Sequence, residues 1–578
     1  MPLTSRWQTE QIPHTHLASL LFTSSTHPLS QTHRCYSDAD NPETRYFTTH
    51  DFRLWCQRFA AGLRKSGLQT GDRVLLFSGN DLFFPVVFLG TIMAGGVFSS
   101  ANPTYVAREL AYQFQDSGAT YLLCAESSLD TGIEAAKLAG VNKDRVFVFN
   151  SDIYDGSGQA QKGCRHWEEL VASAEEGSKF VWEELSTPET ASRTLALNYS
   201  SGTTGKPKGV EVSHKNYVAN TLQTAFMAQL SPEYDARIAK ARLLCFLPMY
   251  HAMGQTIFIA NALLSGTPVY IMPKFDFVGM LEYVQKFRIT ELILVPPIMV
   301  KLAKHAAVRS GKYDLSSVET IRCGAAPVGR EICREIKELW GPGRVDIKQA
   351  WGMTEYVFLH FARRPYIDVF CRVTCSFLGW DPRDEGDLAS VGMLYPNCEG
   401  MVMADDGKTE LGKHQHGELW VRGPSVMRGY WQKPQATQET KTVDGWLKTG
   451  DIAYFDDDGR FYVVDRIKEL IKVKGNQVAP AELEGLLLEH PAVADVAVIG
   501  VPVNDDERPR AYVVLKPGRD ITAEDIIKFM DGKVTTVKRI TGGVVFIDAI
   551  PKNPSGKILR KELRERARKE MKGVTAKL

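Results

Sequence analysis

Short apolar runs alternate with amphipathic stretches through most of the first 460 residues, and this alternation restricts the fold more than any other feature. Val74–Phe77, Tyr121–Cys124, Leu243–Leu247, Val269–Ile271 and Leu292–Val295 read as buried strands. Phe52–Ser66 and Phe277–Phe287 carry apolar residues at helical spacing before or between them. Such a pattern predicts parallel sheets covered by helices. Leu82–Phe98 is the longest apolar stretch. It falls short of the roughly 20 residues that span a bilayer and contains Pro85 and Gly95-Gly96, so it reads as a buried helix. Ser151–Gly163, rich in Gly, Ser and Asp, reads as a loop.

From Gly417 the pattern changes. Glu418–Val421 and Arg460–Val464 read as strands, with Asp458-Gly459 as a hairpin turn. The last hundred residues predict a helix near Pro480–His490, strands at Val493–Ile499 and Arg510–Leu515, and another helix. Lys557–Lys572 is dense in charge with few apolar anchors and reads as a solvated helix. These shifts place a domain boundary near Asp465, giving residues 1–464 and 465–578.

The 578 residues allow three or four structural units at about 100–200 residues each. Lys plus Arg number 69 against 68 Asp plus Glu, for a net charge of +1. That balance argues against a dedicated nucleic-acid or membrane-surface protein, which would be basic. Ten cysteines without a CxxC pair do not make a disulfide scaffold. Cys371 and Cys375, the closest pair, have no neighbouring Cys/His cluster to complete a zinc site, so reduced thiols are expected. The opening MPLTSRWQTEQIPHTHLASLLF lacks the basic start and long apolar core of a signal peptide, and no membrane span is expected.

The most informative segment is Tyr199-Ser-Ser-Gly-Thr-Thr-Gly-Lys-Pro-Lys-Gly209. Gly202, Gly205 and Gly209 permit tight turns with exposed backbone N–H groups. Ser200, Ser201, Thr203 and Thr204 add hydroxyls, while Lys206 and Lys208 add positive charge. A loop of this composition suits a polyphosphate, although its spacing is not that of a P-loop. Leu195-Ala196-Leu197 precedes it like a strand.

In order along the chain, this loop is followed by Phe246–His251, Gly324–Pro327, Gln349-Ala-Trp-Gly-Met-Thr-Glu355, Trp446–Asp451, Val464–Glu484 and Pro551–Lys557. Together these segments, from about residue 45 to 565, resemble the adenylate-forming superfamily: acyl-CoA synthetases, 4-coumarate–CoA ligases, luciferases and peptide-synthetase adenylation domains. The resemblance implies a large α/β domain of helix-covered sheets with a β-barrel-like subdomain, joined by a hinge to a small α+β domain. It implies ATP and coenzyme A as co-substrates with Mg2+ as the metal. A carboxylate attacks the α-phosphate of ATP, pyrophosphate leaves, and a thiol then displaces AMP; charge clamps and a metal serve such chemistry more than a base does.

By the same resemblance, Ser200 to Gly205 and Lys208 hold phosphates, and Gln349, Ala350 and Trp351 meet the adenine. Thr354 bonds the α-phosphate and Glu355 holds the magnesium. Asp451 accepts from the ribose hydroxyls, Arg466 supports the same sugar or its phosphate, and Lys468, Lys472 and Gln477 contact AMP. Lys557 is the catalytic lysine of adenylation, Asp465 the hinge, and Lys274, Lys474 and Gly475 meet CoA. His251, Ala252, Met253, Ala325, Phe358 and Leu359 line the acyl pocket.

Coumarate ligases usually carry an aliphatic residue and a tyrosine where Ala252 and Met253 stand. A phenol would lose its hydrogen-bond partner here at about 1–3 kcal/mol, so an aliphatic, polyenoic or arylacetic acid is expected instead. The chain resembles fungal members of this group that activate acids for secondary metabolism, such as toxin biosynthesis. A carrier protein in place of CoA is the alternative acceptor; a luciferase-like oxygenase and a non-catalytic nucleotide-binding protein are the other readings. Arg363–Cys375 departs from the family pattern, as either a lineage-specific loop or an error in the sequence. Ala576-Lys577-Leu578 resembles a peroxisomal address, implying an import receptor as partner and a peroxisomal rather than cytoplasmic location.

Overall fold

Arg73–Phe77, Val97–Ala101, Tyr121–Ala125, Val146–Phe149 and Thr194–Ser200 are parallel strands of one sheet, buried on both faces, which is why they read as continuous apolar runs. The computed structural model describes residues 2–7, 11–25, 28–200, 206–324, 330–341, 344–349, 351, 353–354, 378–379, 390–473, 476–503, 506–531, 533–552 and 558–575. Among them this sheet has eight strands, extended by Lys208–Ser213 and Gly429–Tyr430 at one side. A second sheet of seven strands runs in the order Asp346–Gln349, Thr320–Cys323, Glu291–Leu294, Leu243–Cys245, Val269–Ile271, Arg34–Asp38 and Tyr46–Thr48. A third, antiparallel sheet of six strands ends at Phe461–Arg466 and occupies the place of the expected barrel-like subdomain.

Leu82–Phe98 is not one helix. Helix Phe84–Met93 stops at Ala94, Gly95 takes a φ of +72°, and Val97–Ala101 re-enters as a strand between two neighbours. A Cβ on Gly96 would lie 3.1 Å from Thr91 and 3.3 Å from the Asp72 carbonyl, so the glycine pair both turns the chain and lets it pass close. Apolar content alone could not separate helix from strand here. Ser151–Asp155, within the expected loop, forms a short 3-10 turn capped by Asn150.

The C-terminal region has its own core around the antiparallel pair Val493–Val503 and Asp506–Leu515, with Val544–Phe546 parallel alongside. Helix Arg560–Thr575 is less solvated than expected. Leu563 and Ala567 are buried against Ile499 and Tyr512, and Arg510 donates to Glu570 at 2.6 Å. Asp465 and Arg466 still pair with the strand Leu447–Phe455, so the sheet reaches two residues past the expected boundary. No helix among the described residues is long and apolar enough to cross a membrane, and the eight described cysteines are buried and free.

Candidate active site

Because the strands of each parallel sheet share one direction, the loops that follow them leave from one edge, where α/β proteins place their ligands. From the first sheet, Asn80 and the end of strand Thr194–Ser200 lie at that edge; from the second, the segments after Cys245, Ile271 and Cys323 and the end of strand Asp346–Gln349 do. Side chains stitch the two edges together. The Asn80 amide donates from Nδ2 to the Leu247 carbonyl at 3.0 Å and accepts the Met249 N–H at 2.9 Å. The Ser100 hydroxyl donates to the Tyr250 carbonyl at 2.8 Å. Gln255 donates to Ser100 at 3.2 Å and accepts from Tyr217 at 2.9 Å, all within the core.

His251 therefore stands on a turn fixed from both sheets, ahead of the buried Ala252 and Met253. The chain continues into a π-helical stretch, Gln255–Asn261, a rare form found frequently at functional sites. The His251 Nε2 is enclosed with no hydrogen-bond partner among the described residues, and burial holds the ring down to about 4, neutral at pH 7. Tyr250 Oη and both amide atoms of Asn198 are likewise enclosed and unpartnered. Asn198 lies opposite Ser100 in the parallel pair. Through Ser100, which donates to the Tyr250 carbonyl, Asn198 belongs to the same edge as the His251 turn.

The stems of the glycine-rich loop are pinned to one helix, Ala107–Ser117. Tyr199 donates to Asp116 at 2.9 Å, and Tyr112 donates to the Pro207 carbonyl at 2.9 Å. Lys208 lies 4.8 Å from the Tyr430 ring centroid, and Ser200 ends its strand beside it. On the third sheet Asp451 is buried; one carboxylate oxygen accepts from the Trp351 indole N–H at 2.7 Å, and the other lies 3.0 Å from the Arg466 Nε. Trp351 thus meets Asp451 edge-on, a relation that residue spacing did not suggest.

Asp465 sits next to Arg466 and is buried, which pushes its carboxyl up to about 6. It accepts the Arg466 N–H at 2.7 Å and the Ala481 N–H, at the start of helix Pro480–Leu488, at 3.0 Å. Around it Arg560 forks onto Glu484 at 2.8 and 3.0 Å, and Arg564 meets Glu469 at 2.7 Å. Lys468 and Lys472 are exposed, as is Lys274. The Lys472 N–H donates to Glu507 at 2.8 Å, and Lys472 pairs with Gln477 across a small hairpin. The described contacts bring Trp351, Asp451 and Arg466 together and leave these three lysines apart from them. Thr354 and Gln349 follow and end the strand Asp346–Gln349.

Ser201, Gly202, Thr203, Thr204, Gly205, Ala325, Ala350, Glu355, Phe358, Leu359, Lys474, Gly475 and Lys557 lie outside the described residues, as do residues 363–375 and 576–578. Among the described residues no group of three His, Cys, Asp or Glu side chains could hold a metal. Asn80, Ser100, Gln255 and Asn198 were missed from sequence; the available signal was polar residues within or beside apolar strands.

Comparison with known proteins agrees with this arrangement. The AMP-binding enzyme family model matches residues 29–431, and the AMP-binding enzyme C-terminal domain model matches 482–557. An acyl-CoA synthetase of Alternaria alternata, ACTT5, is 38% identical over 549 residues, 93% of this chain and 88% of that protein. The phenylacetyl-CoA ligase epaB of Aspergillus niger is 35% identical over 538 residues, 92% of this chain and 93% of its own. ATP-bound MatB from Rhodopseudomonas palustris superposes with a TM-score of 0.75 at 26% identity, covering 95% of this chain and 98% of that one. Two sheets meeting at one edge, a pinned glycine-rich loop and two matched domains in order lead to one conclusion: the chain belongs to the AMP-binding enzyme family.

Proposed function

We propose that this enzyme, an ATP-dependent acid–CoA ligase, activates an aliphatic, polyenoic or arylacetic acid. The observation that carries the choice of acid is the segment after His251. Ala252, Met253, Ile257, Phe258, Ile259 and Ala260 are all buried and apolar, while Gln255 is bonded to Tyr217 and Ser100 and Thr256 donates to the Ala252 carbonyl. In the first step a carboxylate oxygen bonds the α-phosphorus and pyrophosphate leaves. In the second the thiolate of CoA bonds the acyl carbon, AMP leaves, and the thiol proton passes to solvent.

The 200–205 loop and Lys208 would hold the phosphates, Asp451 and Arg466 the ribose, and Trp351 would keep Asp451 in place. Lys557 would bridge the substrate carboxylate and the α-phosphate in the first step. Lys274, Lys474 and Gly475 would then meet CoA once the domain beyond Asp465 has turned. Glu355 would hold Mg2+, an ion commonly bound by one or two carboxylates beside substrate phosphates, and the ion would neutralise phosphate charge. Relatives include fungal ligases and the peroxisomal OPC-8:0-CoA ligase 1 of Arabidopsis thaliana, 36% identical over 541 residues. They support a role in fungal secondary metabolism and, with Ala576-Lys577-Leu578, a peroxisomal location; loss of punctate localisation on deleting those three residues tests the latter.

Acid competition tests the substrate class. With ATP, magnesium and CoA, medium-chain and arylacetic acids are expected to outrun p-coumarate by about fivefold or more in kcat/KM, as 1–3 kcal/mol of lost phenol bonding implies. Equal or faster turnover of p-coumarate contradicts the proposal.

A further inference from the structure

A cavity of about 560 Å³ opens at the other edge of the first sheet. Its wall includes Thr194, which begins the strand that leads to the phosphate loop at Ser200. Six residue steps of about 3.3 Å put the two ends roughly 20 Å apart, so this cavity is separate from the site above. Its size is that of a small-molecule pocket.

The wall is cationic. Arg64, Arg193 and Arg428 line it with one carboxylate, Glu183, which pairs with Arg193 at 2.7 Å. Arg64 donates to the Thr70 hydroxyl at 2.9 Å and Arg428 to the Thr194 hydroxyl at 2.9 Å, both neutral groups. The floor is apolar: Met93, Val97, Trp182 and Leu185.

A buried ring supplies a donor to the wall. His214 is 5% exposed, lines the cavity, and accepts the Leu17 N–H on Nδ1 at 3.1 Å. A neutral imidazole that accepts at one nitrogen carries its proton on the other. The Nε2–H of His214 has no acceptor among the described residues, whereas His16, in the same tautomer, has the Ile92 carbonyl at 3.3 Å. Arg64 and Arg428, whose bonds to the threonines leave their charge unneutralised there, together with the His214 N–H and an apolar floor, call for a carboxylate with an apolar body.

We infer that this cavity binds a medium-chain fatty acid anion, with its carboxylate toward His214 and the arginines and its chain across the Val97–Trp182 floor. Photolabelling the full-length enzyme with a dodecanoic acid bearing a diazirine tests it. Label is expected in the 180–185 or 428–431 peptides, competed by unlabelled dodecanoate and lowered at least fivefold in the Arg64→Gln/Arg428→Gln variant. Label in the 251–260 peptides should not change. Val181, on the cavity rim, is 84% exposed, so Val181→Glu spares the fold and is expected to lower the same labelling by repulsion. No competed label in 180–185 or 428–431, or labelling unmoved by Val181→Glu, overturns the inference.

Discussion

Asp451 is buried and carries two partners, a hydrogen bond from the Trp351 indole on one oxygen and an ion pair with the partly exposed Arg466 guanidinium on the other. Such charge-assisted contacts are about twice as strong as neutral ones. Asp451→Asn keeps the shape and removes the charge, so kcat/KM for ATP should fall by about 1.5–3 kcal/mol, or roughly ten- to a hundredfold, with KM for CoA little changed. Pyrophosphate release measures the first and a CoA titration the second; an equal rise in both KM values would indicate general damage. His251 is neutral at working pH because burial holds it to about 4. The pH profile of acid activation should therefore show no step near 6.5 that disappears in His251→Ala. Finding such a step would mean that the ring is charged during turnover.

Helix Leu17–Phe22 is held by two buried imidazoles, since His16 caps it and His214 accepts its first N–H. His16 is held to about 4 and His214 well below its ordinary value, both by burial. The folded state thus binds fewer protons than the unfolded one between about pH 4 and 6.5, so stability rises with pH across that window and falls on acidification. Protection factors for backbone exchange over residues 17–22, taken against the intrinsic rate at each pH, should fall from pH 7.5 to 5 more than those over 277–287; equal change would refute it. The Tyr217–Gln255–Ser100 chain makes a second element-level prediction. Gln255→Leu should cost about 1–3 kcal/mol of stability and raise KM for the acid more than KM for ATP, because it frees the His251 turn and removes the acceptor of the Tyr217 hydroxyl bond. Denaturant unfolding and the two KM values check it. At this scale the sequence was legible wherever period and length agreed: Phe277–Phe287 is a helix over the expected residues, and Val269–Ile271 a strand. It was not legible at Leu82–Phe98, where a buried helix and a central strand share one composition, nor at Asn80 and Ser100, whose roles depend on a second sheet distant in sequence.

Over the whole molecule, motif order made the family and the two-domain plan readable, because each motif's chemistry is carried by residues close together in the chain. The pairing of Trp351 with Asp451 was not readable, since 100 residues separate them. Nor was the charged nest at Asp465, where Glu469, Glu484, Arg560 and Arg564 from three segments surround the proposed hinge. A hinge beside that nest would let one site serve two reactions in turn. Lys557 would belong to the first arrangement alone, and the Lys472–Gln477 hairpin to the second. The most direct test separates the two steps in Lys557→Ala, by following pyrophosphate release from acid plus ATP and thioester formation from supplied acyl-AMP plus CoA. The account predicts that the first falls at least a hundredfold while the second stays near wild type. Equal loss of both, or an adenylation rate that is unchanged, would contradict it.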